Sequence, residues 1–475
     1  MVERCERELR KIRDAVRGRE DAYAHALSLV HDVHKSRARN LVRFVAFREH
    51  AHGELHDQLL RLGLDPLADA EWDVLHRVDT VLHRLGEMSG SCSGDSAPEE
   101  SAAEADGREL LRLRTEVLFG PARRDRDVRI MITLPAEAAD EADIIRDLAS
   151  GGADCFRINC ARDDRETWKR LIQHARKCDI AAGHPHIFLD LGGPKLRVSS
   201  CGEGKKSIVL EQGDTLHIKR HPHNPTLTTG EKSRQARREI TVNYPSGLDG
   251  VMPGHHVWFD DGKIGGVVRE MAADAICVEI TCSRKGGRKL RMDRGMNLPD
   301  TGVRLPSLTE KDLDDLPFAA RHADFLALSF IRTPSDVDEF RAALLNVSDV
   351  PPTMVIKIET REALSRLPDL MLAGMRSERV AMLLARGDLA VECGILEMPR
   401  IQKKVLRYCA AASLPLFWAT GVLERASRLG EPTRAEMTDA TAAARAQCVM
   451  LNKGSNSRDA LRLLGELLLR CKEEE

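Results

Sequence analysis

Aromatic side chains are scarce in this sequence: Phe, Trp and Tyr together make up only 4% of it. Few platforms are left on which bases could stack, which argues against a single-stranded nucleic-acid partner. Net charge is nearly absent as well. Lys and Arg (72) almost balance Asp and Glu (74), for a formal charge of −2. No global field therefore draws the chain to DNA or to an acidic membrane. No apolar run approaches the roughly 18 residues that a membrane-spanning helix requires. The 12 cysteines include no C-x-x-C pair and no evenly spaced framework. A reducing compartment is the simpler reading. The N-terminus, MVERCERELRKIRD, lacks the apolar core of a secretory signal and is too acidic for an organelle transit peptide. A cytoplasmic protein is expected, without nucleic-acid or membrane partners.

What the sequence does have is apolar material: 42% of 475 residues, enough for about three domains. Residues 1–88 show helical periodicity and little Gly or Pro. Leu41, Phe44, Val45, Leu55, Leu59 and Leu62 fall near one helical face. A further helix is expected to open at Asp65 as cap with Pro66 in its first turn, then to run through Leu67, Val74, Val78 and Leu85. His31 with His34, and His52 with His56, have helical metal-pair spacing. Without a third ligand nearby they read as surface histidines. Residues 89–108 are small, acidic and Pro-containing, and read as a disordered linker.

Beyond the linker, short β-rich runs alternate with helical stretches. They are VRIMIT from Val128, CFRIN from Cys155, HIFLDL from His186, FLALSF from Phe325, TMVIKIE from Thr353, VAMLLA from Val380, LPLFWAT from Leu414 and CVMLN from Cys448. Eight such runs predict an α/β fold, a (β/α)8 barrel. Residues 109–197 supply its first part and 294–475 its second. Between strands three and four, residues 198–293 hold several strand-like runs separated by turn residues, including SIVLEQ, TLHIKR and AICVEI. They predict an all-β lid inserted after strand three. A helix over about Arg458–Cys471 is expected to close the barrel.

Barrel active sites lie at the C-terminal ends of the strands. Those ends carry Arg157 and Asn159, then Asp190 with Lys195 and Arg197 beyond it, Ser329, Lys357 and Glu359, Arg386-Gly387-Asp388, Thr420, and Asn452-Lys453. Lys357 and Glu359, two apart on a strand, point the same way. Burying them together is costly without a task. Glu359 and Asp388 can share one Mg2+, which takes one or two carboxylates and borrows other oxygens from substrate and water. The amides at Gly387-Asp388 can open a helical turn toward an anion. Arg157, Arg197 and Lys357 can neutralise phosphate, most of what phosphoryl transfer asks of a protein. Any one of these residues could be an ordinary ion pair; contributions from most of the strands make that reading poor for the set.

These residues sit in stretches that resemble pyruvate kinase: FRIN (156–159), LDLGGPKLR (189–197), FDDGKI (259–264), GMNLPD (295–300), LPSLTEKDLDDL (305–316), LSFIRTPSDV (328–337), IKIET (356–360), ARGDLAVE (385–392), ATGVLE (419–424) and PTRAEMTDA (432–440). They occur in family order and cover about residues 128–452. The resemblance implies a transferase that moves the phosphoryl group of phosphoenolpyruvate to ADP, giving pyruvate and ATP, with Mg2+ or Mn2+. It casts Lys357 as the lysine that stabilises the group in flight. Glu359 and Asp388 become metal ligands, and Arg157 and Arg197 phosphate-binding arginines. Gly387 and Asp388 border the substrate. Thr420 lies near the substrate carboxylate, where a proton reaches the enolate. Asn159 and Asp190 match two of four monovalent-cation ligand positions, and the β insertion matches the lid over the nucleotide.

The departures also carry meaning. Ala161 and Leu191 replace two hydroxyl ligands of the monovalent cation, and Lys195 stands where a glutamate is common. An ammonium in place of K+ joins these changes, so activity without K+ is expected. Arg162 replaces a histidine, Ala138 an arginine expected near the nucleotide phosphates, and Gly421 a glutamine. Strand eight reads MLNKG instead of Ser-Gly-Glu-Thr. The chain ends about one helix after strand eight, so the family's C-terminal regulatory domain is expected to be missing, and any oligomer is expected to form without it. Two other functions remain open at this point: a catalytically weak phosphoenolpyruvate-binding sensor or scaffold signalling through the helical domain, and a Mg2+-dependent lyase acting on pyruvate enolates.

Overall fold

The computed structural model describes residues 1–51, 53–65, 67–90, 107–180, 183–202, 205–220, 238–272 and 275–473. Most of the linker expected over 89–108 therefore lies outside the described residues. In the N-terminal part, helix Val2–Ala22 buries Cys5, Leu9, Ile12 and Val16, a stripe at helical spacing. It packs on Lys35–His50, which buries Leu41, Phe44 and Val45, and on Val74–Ser89, which buries Val74, Val78, Val81 and Leu85.

The third of these helices does not open at Asp65. Asp65 instead accepts a bond from the Leu67 amide at 2.7 Å, in a local turn that puts Leu67 at φ 60°. The helix starts at Val74, where Asp73 has extended backbone and accepts from the His76 amide. Both aspartates have capping chemistry; extended backbone at Asp73 selects the second. Gly90, at φ 69°, ends the helix in the left-handed conformation.

This helical unit is seated on the barrel. Helix Met398–Ala412 ends with carbonyls that its own turns cannot satisfy. Arg37 and Asn40 each donate to the Ala411 carbonyl at 2.9 Å, and Arg114 donates to Ala412 and Ser413, also at 2.9 Å. Cationic donors suit that negative helix end. His34, read as a surface residue from spacing alone, is buried in the same seam, its Nε2 3.0 Å from the Glu378 carbonyl.

Eight parallel strands close a barrel in chain order: Arg129–Thr133, Cys155–Asn159, His186–Leu191, Phe325–Leu328, Thr353–Ile358, Val380–Ala385, Leu416–Val422 and Cys448–Leu451. The first strand pairs with both the second and the eighth, so no edge is left. Phe188, Phe325 and Phe417 fill the interior. From below, Phe119 at the end of helix Gly107–Phe119 enters this cluster, 4.7 Å from Phe325 and 5.3 Å from Phe417 between ring centroids. The bottom is thereby plugged with apolar rings, and polar residues are left to the top.

After the third strand the chain leaves for the lid. Among the described residues seven strands form one sheet, and Ser207–Leu210 pairs with Arg288–Arg291 as a separate ribbon. The sheet takes in Met296–Asn297, paired with Phe259 and Trp258, a few residues past the return point expected from sequence. The lid has a core of its own, with Val198, Leu216, Ile240, Phe259 and Val278 among its buried residues. Helix Ser457–Glu473 closes the chain through Leu461, Leu464 and Leu468.

Candidate active site

Burial at the barrel top is most extreme where charge is densest. Asp190, Lys357 and Glu359 expose 2%, 7% and 2% of their surface. Such charges persist only with partners. Lys357 Nζ donates to Ser329 Oγ at 2.7 Å and lies 3.1 Å from Asp190 Oδ1 and 2.9 Å from Glu359 Oε1. Arg157 completes the cluster, donating to Asp190 Oδ2 from Nε (2.9 Å) and Nη2 (2.6 Å), and to Thr133 Oγ1 at 3.0 Å.

The electrostatics follow from these contacts. Burial pushes the Asp190 carboxyl up, but Lys357 and Arg157 outweigh it and hold it below the ordinary range. Burial pulls the Lys357 ammonium down, and Asp190 with Glu359 more than restores it. Glu359 goes the other way: burial raises it, and although Lys357 opposes, Asp388 adds to the rise. Glu359 and Asp388 are thus two carboxylates close enough to repel.

Each of the two is held. Glu359 Oε2 accepts the Phe330 amide at 2.7 Å, and Phe330 sits at φ 62°. Asp388, in the first turn of helix Arg386–Cys393, accepts from Lys195 Nζ at 2.8 Å. Lys195 also approaches Asp261 of the lid at 3.7 Å and lies 5.2 Å from the Phe330 ring centre. Among the described residues no bond joins it to Asn159 or Asp190. Asn159 uses Oδ1 to accept the Ala161 amide. Arg197, at the base of the lid, donates to the Asp293 carbonyl and so stays apart from Arg157 and Lys357.

The donor set suits a divalent cation. Two repelling carboxylates are hard oxygen ligands, and the ammonium groups of Lys357 and Lys195 supply the positive charge that they otherwise lack. No three His, Cys, Asp or Glu side chains converge as a metal cluster among the described residues. A Mg2+ site with two protein carboxylates needs no such cluster, since substrate and water complete it.

Thr420 sits opposite, with φ 72°, a rare conformation for a β-branched residue that surrounding structure must enforce. Arg386 does this. Its Nη2 donates to the Thr420 carbonyl at 2.6 Å while Asp439 clamps the guanidinium at 2.5 and 2.8 Å. Gly387 must lack a side chain: a Cβ there would meet Thr420 Cγ2 at 2.8 Å. Gly193 is equally confined, since a Cβ would fall 2.3 Å from the Ser329 carbonyl.

The chain matches the pyruvate kinase barrel-domain model over residues 125–458. It belongs to the pyruvate kinase family. It is 33% identical to a pyruvate kinase of Methylorubrum extorquens over 342 residues, 71% of this chain and 66% of that one. Against a pyruvate kinase of Geobacillus stearothermophilus it is 33% identical over 316 residues, 66% of this chain and 50% of the relative. With one of Mycobacterium tuberculosis it shares 30% over 341 residues, 71% of this chain and 65% of the relative. The chain thus spans about half to two thirds of the length of these curated relatives.

Several members of the candidate site were hidden from residue-by-residue reading. Thr133 ends a strand as an ordinary β-former and gave no signal. Asp439 lies in the PTRAEMTDA stretch, far from any strand end. Phe330 contributes only its amide, which no side-chain pattern reveals. On the flank of strands one and eight, Ala138 is fully buried and its carbonyl lies 3.2 Å from His174 Nδ1. Exposed Lys453 lines a cleft of about 360 Å3 there, with Thr133 and Glu137.

Proposed function

We propose that this chain transfers the phosphoryl group of phosphoenolpyruvate to ADP, giving pyruvate and ATP, with Mg2+ or Mn2+ and without K+. The observation that carries the reading is Lys357: a buried ammonium, fixed by Asp190, Ser329 and Glu359. A lysine so held needs no reorganisation to meet charge on a group in transit.

In the proposed reaction the bond between the enol oxygen and phosphorus breaks, and a terminal oxygen of ADP bonds the same phosphorus. Arg157 and Lys357 face the equatorial phosphoryl oxygens. Asp190 orients both through its two oxygens. Glu359 and Asp388 would hold the divalent ion, which neutralises phosphate charge when bound. Gly387 leaves room for substrate beside Thr420, and the electrons left on the enolate take up a proton at the methylene carbon on the Thr420 side. Arg197 meets phosphate as the lid approaches, and lid closure dries the site. Lys195 supplies a fixed positive charge beside Asp388, in place of a monovalent cation held with Asn159 and Asp190.

Among the described residues no cysteine is in a disulfide and no helix is long and apolar enough to cross a membrane, which fits a cytoplasmic location. A second reading, a weakly catalytic phosphoenolpyruvate-binding sensor, is favoured by one observation: the buried methyl of Ala138 stands where the nucleotide side calls for a cation. Pyruvate formation from phosphoenolpyruvate and ADP with Mg2+, in K+-free buffer and again with K+, separates the readings. Turnover that K+ does not alter is expected. Turnover only with K+ would discard the role of Lys195. No turnover, with phosphoenolpyruvate still raising the melting temperature, would favour the sensor.

A further inference from the structure

Away from the barrel top, where the helical unit meets the barrel, a cleft of about 280 Å3 is ringed by Arg48, Arg400, Lys403, Lys404 and Arg407. Its floor is apolar, built from Phe44 and Tyr408, whose rings meet edge to face at 5.4 Å, with Ile401 and Leu364. Two carboxylates serve this neighbourhood. Glu71 pairs with Arg407 at 2.6 Å and Glu397 with Arg400 at 2.8 Å. Arg48, Lys403 and Lys404 have no carboxylate within ion-pair distance among the described residues. Lys404 donates to the Leu364 carbonyl at 3.3 Å and lies 5.6 Å from the Tyr408 ring centre.

Ordinary surface lysines point outward and are solvated. Lys404 is half-buried, and its ammonium is pulled below the usual lysine range by that burial and by Arg400 and Arg48. The cleft therefore brings like charges together, although an outward rotamer or a neutral residue would avoid it. We infer that this seam is a binding site for a small phosphate-bearing ligand, which supplies the missing anionic charge to Arg48, Lys403 and Lys404 while its organic part covers the Phe44–Tyr408 floor. Guanidinium and ammonium groups together suit phosphate oxygens, and the volume suits a compact metabolite.

The position matters to the barrel. Leu364 belongs to helix Arg361–Ser365, which begins two residues after Glu359. Arg361 in turn donates to the Glu392 carbonyl at 2.8 and 3.1 Å, at the end of the helix that carries Asp388. The occupant thus touches the element lying between the two carboxylates of the candidate metal site. It also bridges the helical unit, through Phe44 and Arg48, to the barrel.

The probe is inorganic pyrophosphate, titrated into the full chain without divalent metal at constant ionic strength, with citrate as a phosphate-free polyanion. A saturable rise in melting temperature is expected with pyrophosphate. The double substitution Arg48→Glu/Lys404→Glu should weaken that binding at least about tenfold, since it reverses two charges at the ligand. Arg197→Ala, at the barrel mouth, should leave it unchanged. Without ligand the double variant should melt no lower than the parent, because like-charge contacts are removed. Should it fold poorly, exposed Lys403→Glu replaces it and should still weaken binding. The inference is overturned if pyrophosphate gives no saturable shift, if citrate gives an equal one, or if the shift survives the seam substitutions and is lost in Arg197→Ala.

Discussion

At the barrel mouth Asp190, Lys357 and Glu359 are almost inaccessible; Asp190 and Glu359 hold Lys357 charged, and Lys357 with Arg157 holds Asp190 charged. In the seam beneath the helical unit His34 is just as deeply buried, yet it faces a backbone carbonyl and burial pushes it down to about 4, so it stays neutral. The two regions show the choice open to any buried ionisable group: gather counter-charges or give up the charge. A structural seam can accept the second. A site that handles phosphate needs the first, because its ammonium must be present before substrate arrives. Paired charge in the mouth is therefore what the proposed chemistry requires, and neutral burial at His34 the mark of packing.

The contrast is broken most severely by Lys357→Met. It preserves side-chain volume and removes the charge, and turnover of phosphoenolpyruvate with ADP should fall by about 10^3-fold or more. Binding of Mn2+, followed by its paramagnetic signal, should persist, because Glu359 loses a competitor for its oxygens and Asp388, held by Lys195, is left as it was. Undiminished turnover would remove Lys357 from the proposed role. Asp190→Ala tests the same cluster through stability. It leaves Lys357 and Arg157 without their shared carboxylate, a loss of about 3–5 kcal/mol for breaking a buried pair, to be read from denaturant unfolding. A cost near zero would mean that water already compensates the cluster.

The seam responds to pH instead. An unfolded histidine titrates near 6.5, and His34 in the fold near 4. Above 6.5 both forms are neutral and its contribution is complete. As pH falls from 6.5 toward 4 the unfolded chain takes up a proton that the fold refuses, and about 2–3 kcal/mol of stability is lost. Gln in place of His34 can still donate to the Glu378 carbonyl but does not titrate. His34→Gln should therefore flatten the fall in melting temperature between pH 7 and 4.5. An unchanged slope would assign the acid sensitivity elsewhere.

The barrel was legible because its strands are short β-rich runs at regular intervals and because its polar residues gather at their ends. The lid was legible as the one gap too long for a helix. The helix start at Val74 was not, since Asp65-Pro66 and Asp73 both have capping chemistry and only the backbone decides between them. His34 was misplaced because helical spacing says which residues share a face and not what covers that face. The Lys357–Asp190–Arg157 contacts were legible as a set of charges but not as bonds, because pairing across strands depends on barrel register. Lys195 shows the limit most clearly: its residue type pointed to a built-in cation, and only the fold turned it toward Asp388.

Lys453 gives the smallest effect and the finest test of the two flanks of the mouth. Strands two, three, five and six lead to the paired ions, whereas strands one and eight offer buried Ala138 and an exposed lysine. If that flank binds nucleotide through solvent-exposed charge, Lys453 contributes only the roughly 0.2–1 kcal/mol of a screened ion pair. Lys453→Ala should then raise the KM for ADP by a factor of about two to five, leave kcat unchanged, and lose even that effect at high salt. A rise well beyond tenfold that salt does not erase would mean that the lid closes over Lys453 and dries it. The flank would then be completed by a strand-eight lysine instead of a strand-one arginine, and Ala138 would count as a relocated charge, not a missing one.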